Sequence, residues 1–116
     1  MFKIDGQDIY LTRCDSAEIA VSITKNDGSD YTLEAGDKVI FRLALDAGKP
    51  VDVEKECTID VENNKAILTL VPADTRGLKF KTYRYEFELL RGADDTHYTF
   101  IVDQPFTIGK ELEAHE

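Results

Sequence analysis

Hydrophobic and polar residues alternate along most of this chain with a period of two. In residues 82–91, Tyr83, Tyr85, Phe87 and Leu89 share one side, opposite Arg84, Glu86 and Glu88. In residues 38–45, Val39, Phe41, Leu43 and Leu45 oppose Lys38 and Arg42. In residues 17–24, Ile19, Val21 and Ile23 oppose Glu18, Ser22 and Thr24. A helix would scatter these residues around its axis, whereas a strand gathers each set on one face. Residues 8–12, 53–61, 66–71 and 96–102 read as further strands, the last extended by 106–108. The inward face of 66–71 stays open, because Leu68 and Leu70 compete with Ile67 and Val71.

The intervening segments carry turn chemistry. Asn26-Asp27-Gly28-Ser29, Asp46-Ala47-Gly48-Lys49-Pro50, Glu62-Asn63-Asn64-Lys65 and Arg91-Gly92-Ala93-Asp94-Asp95 each separate two strands. Glycine and asparagine supply positive φ, and aspartate bonds its own backbone. One segment departs from the β pattern. Pro72-Ala73-Asp74-Thr75-Arg76-Gly77 reads as a single helical turn closed by Gly77. The Tyr83–Tyr85 pair that follows is placed to act like a tyrosine corner, at a longer spacing from Asp74 than that motif normally has.

The expected fold is therefore all-β: an immunoglobulin-like two-sheet antiparallel sandwich of about seven strands, with one short helical turn near 72–77. Residues 1–109 form one domain. Residues 110–116 form a polar tail with no apolar face, expected to fray. A chain of 116 residues suits a single domain that buries roughly two-thirds of its unfolded surface.

Charge narrows the function. The formal net charge is −9, which opposes binding to phosphate backbones or to an anionic membrane surface. No segment approaches ~18 consecutive apolar residues, and Asp5 and Asp8 interrupt the start before any apolar run typical of a signal peptide. The partners expected on these grounds include neither nucleic acid nor membrane.

Candidate chemistry is sparse. His97 and His115 have no neighbour at metal-ligand spacing. Asn26, Asp27 and Asp30, or Asp94 and Asp95, carry oxygens suited to calcium but lack the EF-hand pattern, and read as solvated turn residues. Cys14, His97 and an aspartate can be written as a nucleophilic triad, but a lone cysteine between β segments is ordinarily a small hydrophobe. Cys14 and Cys57 form no CxxC unit and are expected as free thiols. The carboxylate pairs Asp60/Glu62, Glu86/Glu88 and Glu111/Glu113 read as solvated faces. There is no GxGxxG and no P-loop. The expectation is a non-enzyme with no catalytic, cofactor-binding or metal site. What remains is surface: edge strands offer unpaired backbone groups to protein partners, and Lys55 and Glu56 are candidate edge charges or plain surface residues.

Several stretches together resemble a known family. They are Ile9-Tyr10-Leu11-Thr12-Arg13-Cys14-Asp15, Asp27-Gly28-Ser29-Asp30-Tyr31-Thr32-Leu33, Gly36-Asp37-Lys38-Val39-Ile40-Phe41, Leu68-Thr69-Leu70-Val71-Pro72-Ala73-Asp74-Thr75, Thr82-Tyr83-Arg84-Tyr85-Glu86-Phe87-Glu88-Leu89 and Phe106-Thr107-Ile108. On these the chain resembles small immunoglobulin-like proteins encoded among prophage structural genes of Gram-positive bacteria. It is similar as well to the N-terminal sandwich domain of baseplate upper proteins from tailed phages. Cys14 stands where that pattern carries glycine, so it is either strained at positive φ or set in a different turn. Residues 78–81 also lack the glycine that the pattern places before the tyrosine strand. The resemblance implies a non-enzymatic structural or adaptor role in a phage tail or baseplate. Its partners would be other phage structural proteins or the chain itself, with synthesis in the bacterial cytoplasm and residence in the virion. A carbohydrate-binding or host-adhesion module is the alternative.

Overall fold

A computed structural model describes residues 2–5, 7–25, 27–46 and 48–110. The backbone is a two-sheet β sandwich with one short helix. The strands are β1 (Phe2–Asp5), β2 (Asp8–Thr12), β3 (Ala17–Val21), β4 (Lys38–Ala44), β5 (Val51–Glu56), β6 (Thr58–Asp60) and β7 (Lys65–Leu70). After the helix α1 (Pro72–Thr75) come β8 (Thr82–Leu90) and β9 (His97–Gly109). The larger sheet runs β1-β2-β9-β8-β4-β5 and the smaller β3-β7-β6.

The described strands number nine, against about seven expected. Residues 2–5 add a hairpin partner to β2. The stretch 53–61, expected as one strand, breaks at Cys57, where the chain leaves the large sheet for the small one. Nor is the sandwich wholly antiparallel. β2 runs parallel to β9 because β9 returns from β8 in the direction that β2 takes toward the other sheet.

The alternation decides what is buried. Tyr83, Tyr85, Phe87 and Leu89 of β8 and Val39, Phe41 and Leu43 of β4 line the dry interior, with Leu11, Phe106 and Ile108 beside them. Phe41 and Phe87 face each other across the β4–β8 pair with ring centroids 5.3 Å apart. Tyr85 and Phe106 meet edge-on at 6.0 Å. Such aromatic pairs contribute about 0.5–1.5 kcal/mol each beyond their buried area. The small sheet closes the core with Ile19, Ala66, Leu68 and Leu70. Leu68 and Leu70 win the face that the sequence left open, and Val71 is exposed at the start of α1.

Interruptions in the β9 ladder keep its two halves in phase. Register shifts opposite Phe87 let both Ile101 and Phe106 pair with inward-facing residues of β8, which strict alternation forbids over an odd separation. Asp103, at φ 52°, lies in this irregular stretch and accepts a 2.8 Å hydrogen bond from Arg84 Nε.

Two loop systems at the end of the sandwich beyond Lys38 and Leu90 are tied together. The buried Asp37 carboxylate accepts bonds from Tyr31 Oη (2.8 Å), Glu34 N (3.0 Å) and Gly92 N (3.0 Å). Gly36 has φ +96°, and a Cβ on Gly92 would lie 2.5 Å from the Gly36 carbonyl oxygen, so the close approach of these loops requires glycine on both sides. Asn64 Oδ1 accepts from Leu33 N at 2.8 Å, and Asn64 Nδ2 donates to the Tyr31 carbonyl at 3.1 Å. The turn between β6 and β7 thereby holds the long β3–β4 connection.

At the opposite end, Cys14 has φ 69°, the strained alternative of the two that its place in the sequence pattern allowed. Its backbone N–H donates to the buried Thr75 Oγ1 at 2.8 Å, joining the β2–β3 turn to α1. Tyr83 Oη accepts from Lys79 N at 2.9 Å, four residues upstream, which is the bond a tyrosine corner makes.

Candidate interaction surface

The residues singled out for chemistry are not brought together. Cys14 adjoins the end of β9 through the bond from Arg13 N to Gly109 O, whereas His97 begins β9. Thirteen strand residues separate those ends, roughly 40 Å at ~3.3 Å per residue. Cys14 and His97 therefore share no site. Both cysteines are free and buried, and burial pushes the Cys57 thiol up to about 12, leaving it protonated and inert.

The acidic turn residues bond locally. Asp27 Oδ1 accepts from Ser29 N and Oγ, Asp60 accepts from Asn63, and Asp94 Oδ1 accepts from Thr96 N. Each of these carboxylates is held below its ordinary value by those bonds. Among the described residues, no three His, Cys, Asp or Glu side chains gather at metal-binding distance. Asn26, His115, Glu111, Glu113 and the tail beyond Lys110 lie outside the described residues.

Glu86 and Glu88 converge on Arg42 at 3.1 and 3.0 Å, and Glu54 joins from β5 at 2.7 Å. Alternation places these side chains on the outer face of the large sheet, where neighbouring strands bring opposite charges side by side. The three carboxylates hold the guanidinium far above its ordinary range. This is a cross-strand ion network, and the carboxylate pair is part of it.

Lys55 lies opposite Phe41 in the ladder and therefore points inward from the edge strand β5. Its Nζ reaches the Thr69 carbonyl at 2.9 Å and Asp74 Oδ2 at 2.8 Å, while Asp74 also accepts from Val71 N at the start of α1. An inward charge on an edge strand obstructs the addition of a further strand.

The feature missed in the sequence sits at the Cys14 end. Among the described residues, five large hydrophobics are exposed: Leu45, Val51, Val61, Val71 and Phe80. All but Val61 lie at this one end, on the connections around β4, β5, α1 and β8. A groove of about 320 Å³ runs between the β4–β5 and α1–β8 connections, lined by Leu45, Lys49, Pro50, Leu78, Lys79 and Lys81 among others. Phe80 is 45% exposed, and the Arg13 guanidinium stacks on its ring at 4.4 Å from the centroid. The available signal was Lys79-Phe80-Lys81, an aromatic between lysines outside any alternating run.

The described connections at this end carry Arg13, Lys49, Arg76, Lys79, Lys81 and Lys110 against Asp15, Asp46 and Asp74, and Glu111, Glu113 and Glu116 follow Lys110 in the sequence. The connections at the other end carry Asp27, Asp30, Glu34, Asp37, Glu62, Asp94 and Asp95 against Lys25 and Arg91, a formal −5. A second groove of about 350 Å³ lies at the acidic end, lined by Tyr31, Arg91, His97 and Tyr98 among others.

No family model, curated protein or solved structure matches this chain. Among the described residues, no helix is long and apolar enough to cross a membrane.

Proposed function

We propose that this chain is a non-enzymatic structural or adaptor module of a phage particle, acting in the tail or baseplate through protein–protein contacts. The observation that carries the reading is the exposure of Leu45, Val51, Val71 and Phe80 at one end of the sandwich, where Leu45, Leu78, Lys49, Lys79 and Lys81 line a groove. Contiguous apolar surface rimmed by polar residues is what protein contacts bury, and scattered single hydrophobics are not. The resemblance in the six stretches quoted above supplies the phage context. The parallel β2–β9 pair and the Tyr83 bond to Lys79 N support the immunoglobulin-like assignment within the sandwich class.

The test is mass spectrometry of purified particles released by the bacterium that encodes the chain, beside particles from a strain lacking its gene. The chain at a fixed stoichiometry, and defective particles without it, support the proposal. Normal particles that never contain the chain overturn it. A saccharide-binding role is the second reading, favoured by the tyrosines in the acidic-end groove. Binding on a glycan array that is lost on replacing Tyr98 with Ala would establish it.

A further inference from the structure

We propose that the free edge of β3 takes up an extended segment of another protein as an added strand, apolar on the side that faces the core and basic on the side that faces water. This rests on reading the chain as a module that acts through protein contacts, and it names one such contact and the chemistry of its occupant.

Three observations carry it. Each sheet ends in two edge strands, β1 and β5 in the larger and β3 and β6 in the smaller. Natural edges are blunted by shortness or by an inward charge. β6 is three residues long, β1 is four, and β5 carries the inward Lys55. β3 runs five residues with Ala17 and Ile19 buried, Val21 half-buried beside them, and no charge on that face. Next, a groove of about 140 Å³ follows this edge. Its lining joins Ile19 and Val21 of the inner face with Ala20 of the outer face, and with Ile9 of β2 and Ile101 of β9, so it opens along the β3 backbone. An apolar cavity of roughly 150 Å³ holds one benzene-sized group, so the groove has room for one branched aliphatic side chain. Finally, charge selects the occupant. Glu18 is exposed on the outer face, opposite Thr69 of β7, and the chain carries −9 overall. A lysine or arginine on the added strand completes a cross-strand pair with Glu18, and a basic segment is drawn toward the acidic molecule. A second copy of this chain supplies the wrong charge: it brings another −9, and its own β3 offers Glu18 where the pair needs a cation.

The test is NMR of the isotope-labelled full chain, titrated with the capped peptide Lys-Val-Lys-Val-Lys-Val to about 5 mM, a range that reports millimolar affinity. The backbone amides of residues 17–21 should shift and exchange more slowly with solvent, and Ile9 and Ile101 should shift with them as a valine enters the groove. The block peptide Lys-Lys-Lys-Val-Val-Val has the same composition and charge without the alternation, and should bind at least about tenfold more weakly. Val21→Lys gives β3 the kind of inward charge that β5 has, and should weaken binding of the alternating peptide by about tenfold or more. Glu18→Lys turns the cross-strand attraction into repulsion and should weaken it by about threefold or more. Thermal melts verify that each variant is folded, and Glu18→Lys, on the exposed face, keeps the test decisive should Val21→Lys not fold.

Residues 17–21 that do not respond to the alternating peptide overturn the proposal, as do folded variants that bind it like wild type. Equal binding of the block peptide would reduce the effect to charge attraction and overturn it as well. Shifts at residues 17–21 that grow with protein concentration in the absence of peptide would give this edge to a second copy, and overturn it too. None of these results alters whether the chain is found in particles, so the functional reading fails or stands separately.

Discussion

Cys14 holds a left-handed backbone at φ 69° with its side chain buried. That conformation costs a residue with a Cβ roughly 1–2 kcal/mol and a β-branched residue more. Burial of the thiol and the 2.8 Å bond from Cys14 N to Thr75 Oγ1 hold the turn in place. Replacing Cys14 with Gly removes the strain and the small buried side chain together, so stability should stay within about 1 kcal/mol of wild type. Replacing it with Val should cost about 2 kcal/mol or more, and Ala should fall between. Urea unfolding of the three variants checks the order, and a Val variant as stable as the Gly variant would show that the turn is not left-handed.

Asp37 makes a prediction of its own. Burial pushes its carboxyl up, but the bonds from Glu34 N, Gly92 N and Tyr31 Oη outweigh that effect and hold it below its ordinary value of 3.8. A depressed folded-state pKa contributes stability that is complete above the unfolded value and is lost as pH falls through the folded one. The Asp37→Asn variant should therefore lose about 1–3 kcal/mol at neutral pH, and its stability should fall less steeply than wild type below about pH 4. Chemical denaturation at neutral pH and at about pH 3 measures both. Equal acid slopes in the two proteins would remove Asp37 as the titrating group. Its burial was not legible in the sequence: its three donors come from two loops far apart in the chain.

At the scale of elements, the edge strand β5 illustrates how neighbours set the meaning of a charge. Glu54 and Glu56 face out and Lys55 faces in, bonded to Asp74 and the Thr69 carbonyl. Replacing Lys55 with Val makes the inner face of β5 continuous from Val53 to Cys57. It removes the inward charge that blocks strand addition. The variant should unfold within about 1 kcal/mol of wild type, because an exposed-to-half-buried ion pair contributes little. It should aggregate faster on mild heating. Light scattering during a temperature hold tests this, and unchanged aggregation would mean that β5 is protected by other means. The charges of Lys55 and Glu56 were legible in sequence. Which of them turned inward was not, since that follows from β5 pairing with β4 in a register that sets Lys55 opposite Phe41.

For the whole molecule, the formal net charge of −9 sets how copies repel one another. Near the isoelectric point of about 4.6 the net repulsion between copies vanishes. Solubility should pass through a minimum near that pH and recover above it as net negative charge returns. Measuring soluble protein between about pH 3.5 and 7 tests this, and a flat profile would contradict it.

The alternation in residues 17–24, 38–45 and 82–91 determined the sandwich class and most of its core, because a period of two gives one dry face whatever the partner strand. The helical turn at Pro72 was equally local, set by a proline at a helix start, whereas the sequence left Cys14 either left-handed or in a different turn. Only tertiary structure decided the rest. Which strands share a sheet, where β9 shifts register, which lysine turns inward and which apolar residues meet at one end all depend on segments distant in sequence arriving side by side. Period and turn chemistry act over a few residues, and pairing between distant strands leaves no mark on that scale.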